Sequence, residues 1–278
     1  LLEAVQQALK QVIGAYAIAV VEKGNQDQII AARRSSPMVI GIGDKEFFLA
    51  SDAASIVEYT DKIVYVNDGE VVVMDRNHPL KIVTLDNQES KIDIKKLQLS
   101  ISQLEKGGYP HFMLKEIYEQ PKAIHDTVQI YLNKDGSVNF KDLGWTEDCF
   151  DDIDHILITA CGTAYHAGLV AKHYIERFVR IPVSVEIASE YRYSNPLTTS
   201  KTLCIVVSQS GETIDTLAAL KEAKRLGAKS LAVTNSISSS IARESDNVIY
   251  TMAGPEIAVA STKAYTTQLV ALLLLALY

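Results

Sequence analysis

The period of the apolar positions changes along this chain, and the change divides it. Residues 14–21 form an apolar, strand-like run, 22–27 are polar, and 28–32 are apolar again, which predicts a hairpin. Residues 39–43 and 46–50 predict two more short strands, and Ser51-Asp52-Ala53-Ala54 predicts a helix start capped by Ser51 or Asp52. Residues 63–66 and 70–74 flank Asn67-Asp68-Gly69, a strong turn signal, and predict a second hairpin. Residues 76–115 are rich in Lys, Asp, Gln and Ser with no recognisable period, so a connecting segment is expected there. Helix is expected near 113–131, closed by a turn at Asn133-Lys134-Asp135-Gly136.

From about residue 153, strand and helix alternate. Strands are predicted at 156–160, 183–187, 202–207, 230–234 and 247–250, and helices at 164–179 and 213–226. The strand at 202–207 is apolar throughout, as a strand buried on both faces must be. In the helix after it, Ile214, Leu217, Ala218 and Leu220 are expected to oppose Lys221, Glu222, Lys224 and Arg225. This alternation implies a parallel sheet with helices on both faces. The apolar run 269–277 is nine residues, far short of the roughly 20 that a bilayer span needs, and predicts a buried helix. Both chain ends fall inside helical rhythm, so a piece of a longer protein is expected.

Composition adds limits. With 278 residues, 47% apolar and 22% charged, the chain is ordinary globular protein, long enough for two domains. A net charge of −7 argues against nucleic acid and anionic membrane as partners. An anionic ligand must then be held by local dipoles and hydroxyls. Cys149, Cys161 and Cys204 form no CxxC pair, so neither zinc nor redox chemistry is indicated. Three reduced thiols in a cytoplasmic protein are expected. His166 and His173 share a helix face without further ligands, and Glu186 and Glu190 are expected at a solvated strand end. No metal site is expected.

The sharpest chemical signal is Ser208-Gln209-Ser210-Gly211-Glu212-Thr213, between the buried strand and a helix start. Open α/β sheets bind ligands at that end of their strands, and a helix N-terminus offers free N–H groups with about half a positive charge. Ser208, Ser210 and Thr213 bring three hydroxyls to that point, and Gly211 is expected to let an anion approach the backbone. There is no lysine, so this is no Walker A loop. A plain cap by Ser210 or Thr213 is the alternative, but it accounts for only one hydroxyl. Cys161-Gly162-Thr163 is a second strand-to-helix turn, either part of the same crevice or an ordinary connection. Residues 256–263 form a third loop, with Ser261 and Thr262 at predicted cap positions. It is either a capped helix start or a wall against a ligand.

Together these motifs, with Ala264-Tyr265-Thr266-Thr267-Gln268 after them, resemble the sugar isomerase (SIS) domain family, and within it the isomerising glutamine–fructose-6-phosphate aminotransferases. The stretch 107–117 and Glu119-Gln120-Pro121 is similar to that family's interdomain hinge. Residues 33–41 with Leu49-Ala50-Ser51-Asp52 resemble the end of a class II glutamine amidotransferase domain. The resemblance covers essentially the whole chain. It implies an α/β fold: a parallel three-layer αβα SIS domain over 141–278, preceded by part of an α+β amidotransferase domain of αββα type over 1–76. Residues 77–140 would be linker and helical hinge. It implies formation of glucosamine 6-phosphate from fructose 6-phosphate and glutamine, with no cofactor and no metal, in a homodimer. Ser208, Gln209, Ser210 and Thr213 would hold the phosphate, Cys161, Gly162 and Thr163 would lie along the sugar, and Val259 and Ser261 would touch its other side. Leu1 stands where the family's glutaminase has its cysteine, and the glutamine-binding stretches are absent. The acid–base residues belong to a second SIS domain, so no catalytic residue is expected in this stretch. Ala164 stands where a serine is common. Another SIS-domain isomerase or deglycase, or a non-catalytic sugar-phosphate sensor, is the competing reading. The β-rich N-terminal region favours the aminotransferase over both.

Overall fold

The computed structural model describes residues 1–97, 105–140, 150–237 and 239–278. Cys149 lies outside them. The chain forms two compact units, Leu1–Glu105 and Lys106–Tyr278.

In the first unit, helix α1 (Leu2–Leu9) precedes β1 (Tyr16–Glu22) and β2 (Asn25–Arg34), which pair antiparallel as the polar turn predicts. Two sheets follow from the alternation of side chains. One has the order β1-β2-β6-β7, with β6 at Glu70–Asp75 and β7 at Lys81–Thr84. The other is β4-β3-β5-β8, with β3 Val39–Ile42, β4 Phe47–Ala50, β5 Lys62–Tyr65 and β8 Lys95–Lys96. Ile30, Ala32, Val71 and Val73 face Val5 and Leu9 of α1. The alternate residues Ala31, Val72 and Met74 pack instead with Ile40, Val64 and Val66 between the sheets. The layers therefore run helix, sheet, sheet.

Three expectations fail in this unit. β5 and β6 are not a hairpin: β5 pairs with β3 and β8, and β6 pairs with β2 and β7. The turn signal at Asn67-Asp68-Gly69 is correct, since Glu70 N donates to Asn67 O at 3.2 Å and Gly69 has φ 77°. However, Val71 to Met74 are buried in unbroken succession, so β6 needs a strand on each side and a sheet on one face. The turn is pinned across to the end of β2, where Arg33 Nη2 meets Asp68 Oδ1 at 2.8 Å and Gly69 N donates to Arg33 O. The expected helix after Ser51 is a single 3-10 turn, Ala53–Ser55. Residues 76–115, where no element was expected, supply β7 and β8. Only Ile82 and Val83 of β7 are apolar and buried, a signal too short to show a period.

In the second unit, helix α2 (Phe112–Tyr131) precedes an all-parallel five-stranded sheet of order β10-β9-β11-β12-β13. The strands are β9 His155–Ala160, β10 Val183–Ile187, β11 Thr202–Ser208, β12 Lys229–Thr234 and β13 Asn247–Tyr250. Between them lie α3 (Gly162–Phe178), α4 (Ala188–Tyr191), α5 (Ile214–Arg225) and α6 (Ser240–Glu244), and α7 (Lys263–Leu277) closes the chain. Alternate residues of the sheet serve opposite faces. Ile158, Ile205, Val207, Leu231 and Val233 pack against α3 and α7, whereas Leu157, Cys204, Val206 and Ala232 pack against α4, α5 and α6. This is the three-layer parallel αβα arrangement expected. The buried face of α5 is rotated from its prediction: Thr216, Leu217, Ala219, Leu220 and Ala223 are buried and Ile214 is exposed. The last strand, β13, is tied to α2. Tyr131 Oη donates to Tyr250 O at 3.0 Å and accepts from Tyr250 N at 2.8 Å.

Candidate functional site

β9 and β11 are neighbours, yet the chain leaves them in opposite directions: from β9 outward to β10, and from β11 outward to β12. The helices that follow, α3 and α5, cover opposite faces. This is a topological switch point, where open parallel sheets form their ligand crevice. Val207 of β11 is in register with Ala160 of β9, so the two loops begin level with each other. Those loops are Cys161-Gly162-Thr163 and the Ser208–Thr213 segment, two of the three stretches singled out from sequence. The first turn of α5, just after the second loop, is tied to the first: Thr216 Oγ1 donates to Cys161 Sγ at 3.9 Å.

Two helix ends favour an anion here. Thr213 is the N-cap residue of α5 and Cys161 that of α3, and neither makes a side-chain cap hydrogen bond. Two helix N-termini of 17 and 12 residues therefore reach the same crevice without side-chain caps. Their N–H groups and dipoles favour a negative ligand. The plain-capping alternative does not hold for Thr213.

The hydroxyls divide into two kinds. Ser208 is buried, accepts from Gly211 N at 3.0 Å and exchanges a hydrogen bond with Thr213 Oγ1 at 2.9 Å. These two brace the loop. Ser210 is exposed and its Oγ accepts only locally, from Glu212 N at 3.2 Å, while Gln209 is half-buried. Gly211 is needed for a different reason than expected. Its φ is 65°, and a Cβ there would stand 2.0 Å from Ser239 Oγ and 2.4 Å from Ser239 Cβ. The missing side chain admits the N-cap of α6, not an anion. The loop is clasped from that side: Ile241 N donates to Gly211 O at 2.9 Å, Ser240 N to Glu212 Oε1 at 2.7 Å, and Asn235 N to Gln209 O at 3.1 Å.

Asn235 carries the linkage on to the third stretch. Its Nδ2 donates to Gly254 O at 2.7 Å and its Oδ1 accepts from Ala253 N at 2.7 Å. Beyond that point the expected cap is corrected. Thr262 is the N-cap residue of α7 but its side chain does not cap. Glu256 does so instead, with Oε1 accepting from Thr262 N at 2.8 Å and Ala264 N at 3.1 Å. Val259 is fully exposed and Ser261 half-buried at the crest of this loop. Gly162 and Thr163 are exposed, Cys161 is half-buried, and Ala164 is packed into the core under α3.

Four side chains that support these loops were not identified from sequence: Thr216, Asn235, Glu116 and Lys263. Lys115, Glu116, Glu119 and Gln120 lie within one turn and a half of α2. Charges on a helix stretch that also carries buried positions were the available signal. An apolar cavity of about 1320 Å³, bordered by Ile156, Leu203, Ile175 and Leu274, lies at the amino ends of the strands and takes no part in this crevice. Among the described residues, no cluster of potential metal ligands and no membrane-length apolar helix is present.

A parallel sheet with a hydroxyl-lined loop at its switch point defines the class, and residues 150–278 match the family model of the SIS domain. Over its whole length the chain is similar to isomerising glutamine–fructose-6-phosphate aminotransferases. It is 53% identical over 279 residues to the enzyme so named from Bacteroides thetaiotaomicron, covering 100% of this chain and 45% of that protein. To its counterpart in Clostridium tetani it is 51% identical over 280 residues, covering 100% and 46%. The chain thus spans about half the length of these relatives. Among solved structures, the C-terminal domain of the Francisella tularensis glucosamine–fructose-6-phosphate aminotransferase aligns with a TM-score of 0.58 and 45% identity. That alignment covers 62% of this chain and 48% of that one.

Proposed function

We propose that the crevice between β9 and β11 binds the phosphate of fructose 6-phosphate, and that the chain is the sugar-binding half of an enzyme making glucosamine 6-phosphate. The observation that carries this is the meeting of two helix N-termini without side-chain caps at the switch point, beside the Ser208–Thr213 loop. In this reading Ser210, Gln209 and Thr213 take the phosphate with the N–H groups of α5, and Ser208 holds the loop in shape. Cys161, Gly162 and Thr163 border the sugar on one side, and Val259 and Ser261 on the other. Residues 141–278 form the SIS half. The first unit, with its helix, sheet and sheet layering, is the closing part of an amidotransferase domain; β7 and β8, within the stretch 77–140 expected as linker, belong to its sheets, and α2 belongs to the second unit. Glutamine would supply the nitrogen through that domain, in a cytoplasmic homodimer. The names of the relatives support the substrates, and no catalytic acid or base is assigned to this stretch.

Calorimetric titration of fructose 6-phosphate tests the proposal. The chain should bind it, and Ser210→Ala should weaken binding by about 1–3 kcal/mol through loss of a charge-assisted hydrogen bond. Unchanged affinity would remove Ser210 from the phosphate site.

A further inference from the structure

Two carboxylates, Glu256 within it and Glu116 on α2, pin the loop over 256–262. Glu256 reaches forward to the first N–H groups of α7. Glu116 reaches in from α2, and its Oε1 accepts from Ile257 N at 2.6 Å and from Ala258 N at 3.1 Å. Glu116 is 2% exposed, and within the described residues no hydrogen-bond donor meets its Oε2. A buried carboxylate is costly unless something needs it, and here it serves two backbone donors that no secondary structure satisfies. Its surroundings hold it in place. Lys263, 3% exposed, pairs with Glu119 at 2.7 Å, and Lys115 meets the other oxygen of Glu119 at 3.6 Å. Gln120 Oε1 accepts from Thr266 Oγ1 at 2.5 Å. Helix α2 is thereby keyed to the loop and to the first turn of α7.

We infer that Glu116 is a positioning residue: by anchoring Ile257 and Ala258 it fixes the Val259-to-Ser261 crest against a bound sugar. This deepens, and rests on, the assignment of the crevice to fructose 6-phosphate. The anchor lies on the sugar side of the crevice. The phosphate loop at 208–213 has its own clasp on α6 and does not depend on Glu116. Loss of the anchor should therefore be felt by the sugar and not by the phosphate.

The test titrates fructose 6-phosphate and inorganic phosphate separately into the 278-residue chain, Glu116→Ala, Glu116→Gln and Ser210→Ala. Amide hydrogen exchange at Ile257 and Ala258 is followed in the same samples. Glu116→Ala should bind fructose 6-phosphate roughly tenfold more weakly, the equivalent of about 1.4 kcal/mol, with phosphate binding unchanged and faster exchange at both amides. Glutamine keeps an oxygen acceptor in the same place, so Glu116→Gln should restore both sugar affinity and slow exchange. It also answers the question if the alanine variant does not fold. Ser210→Ala should weaken both ligands. Fructose 6-phosphate affinity at the parent level in Glu116→Ala overturns the inference, and so does a glutamine variant as weak as alanine. A parent chain that binds neither ligand overturns the sugar-phosphate assignment itself, and the inference with it.

Discussion

Gly211 shows how one residue can serve a binding loop without touching a ligand. The backbone there is left-handed, and the space a Cβ would take is filled by Ser239 and Thr234. Gly211→Ala should destabilise the second unit by about 2–4 kcal/mol, from the left-handed conformation and the overlap together. Urea denaturation checks this, and a loss below about 1 kcal/mol would mean that Ser239 swings aside at little cost. Cys204 illustrates burial acting on chemistry. It is fully buried in the sheet, and desolvation pushes its thiol up to about 12 from 9.0. The folded state keeps the proton, so the stability it contributes is intact below about 9 and falls away as pH rises towards 12. At pH 8 the native chain should leave Cys204 unmodified by a thiol reagent, and unfolding should expose it. Modification of Cys204 in the native state would contradict the packing described here.

At the scale of elements, the loop before α7 depends on carboxylates distant in sequence or unusual in position. Glu256 caps the helix from six residues before Thr262, so the familiar cap pattern at Ser261 and Thr262 pointed to the wrong side chain. Glu256→Ala should lower stability by about 1–2 kcal/mol, the size of a lost N-cap, and Glu256→Gln should retain most of it. Thermal unfolding of both variants measures the difference, and equal losses would mean that charge, not acceptance of the two N–H groups, is what α7 needs. The elements themselves were largely legible in the sequence where the period was long. The β11 run and the turns at Cys161 and Ser208 read correctly because a doubly buried strand and a polar turn leave unmistakable patterns. The β5–β6 hairpin did not, because a turn signal reports chain reversal and says nothing about which sheet each strand joins. β7 carries two buried apolar residues, too few for any period.

At the scale of the molecule, the parts of the site that were legible are the ones that stand next to each other in sequence. The three loops were visible as local motifs. The braces between them link residues far apart: Asn235 to Gly254, Glu116 to Ile257 and Lys263 to Glu119. Such links are properties of topology and leave no local spacing to find. Every residue of the proposed crevice and its supports lies in the second unit, which also has its own core. Residues 106–278 alone should therefore fold and bind fructose 6-phosphate with the affinity of the whole chain. Comparative calorimetry would show otherwise if the first unit contributes to the site.

The sugar phosphate is assigned to one place on the fold, and amide chemical shifts read location directly. On titration of the isotopically labelled chain with fructose 6-phosphate, the largest shifts should fall at Cys161 to Thr163, at Gln209 to Thr213 and at Val259 to Ser261. Residues bordering the apolar cavity at the other end of the sheet, such as Leu203 and Leu274, should stay unmoved. Shifts centred on that cavity, or none in the three loops at saturating sugar phosphate, would rule out the crevice between β9 and β11 as the sugar-phosphate site.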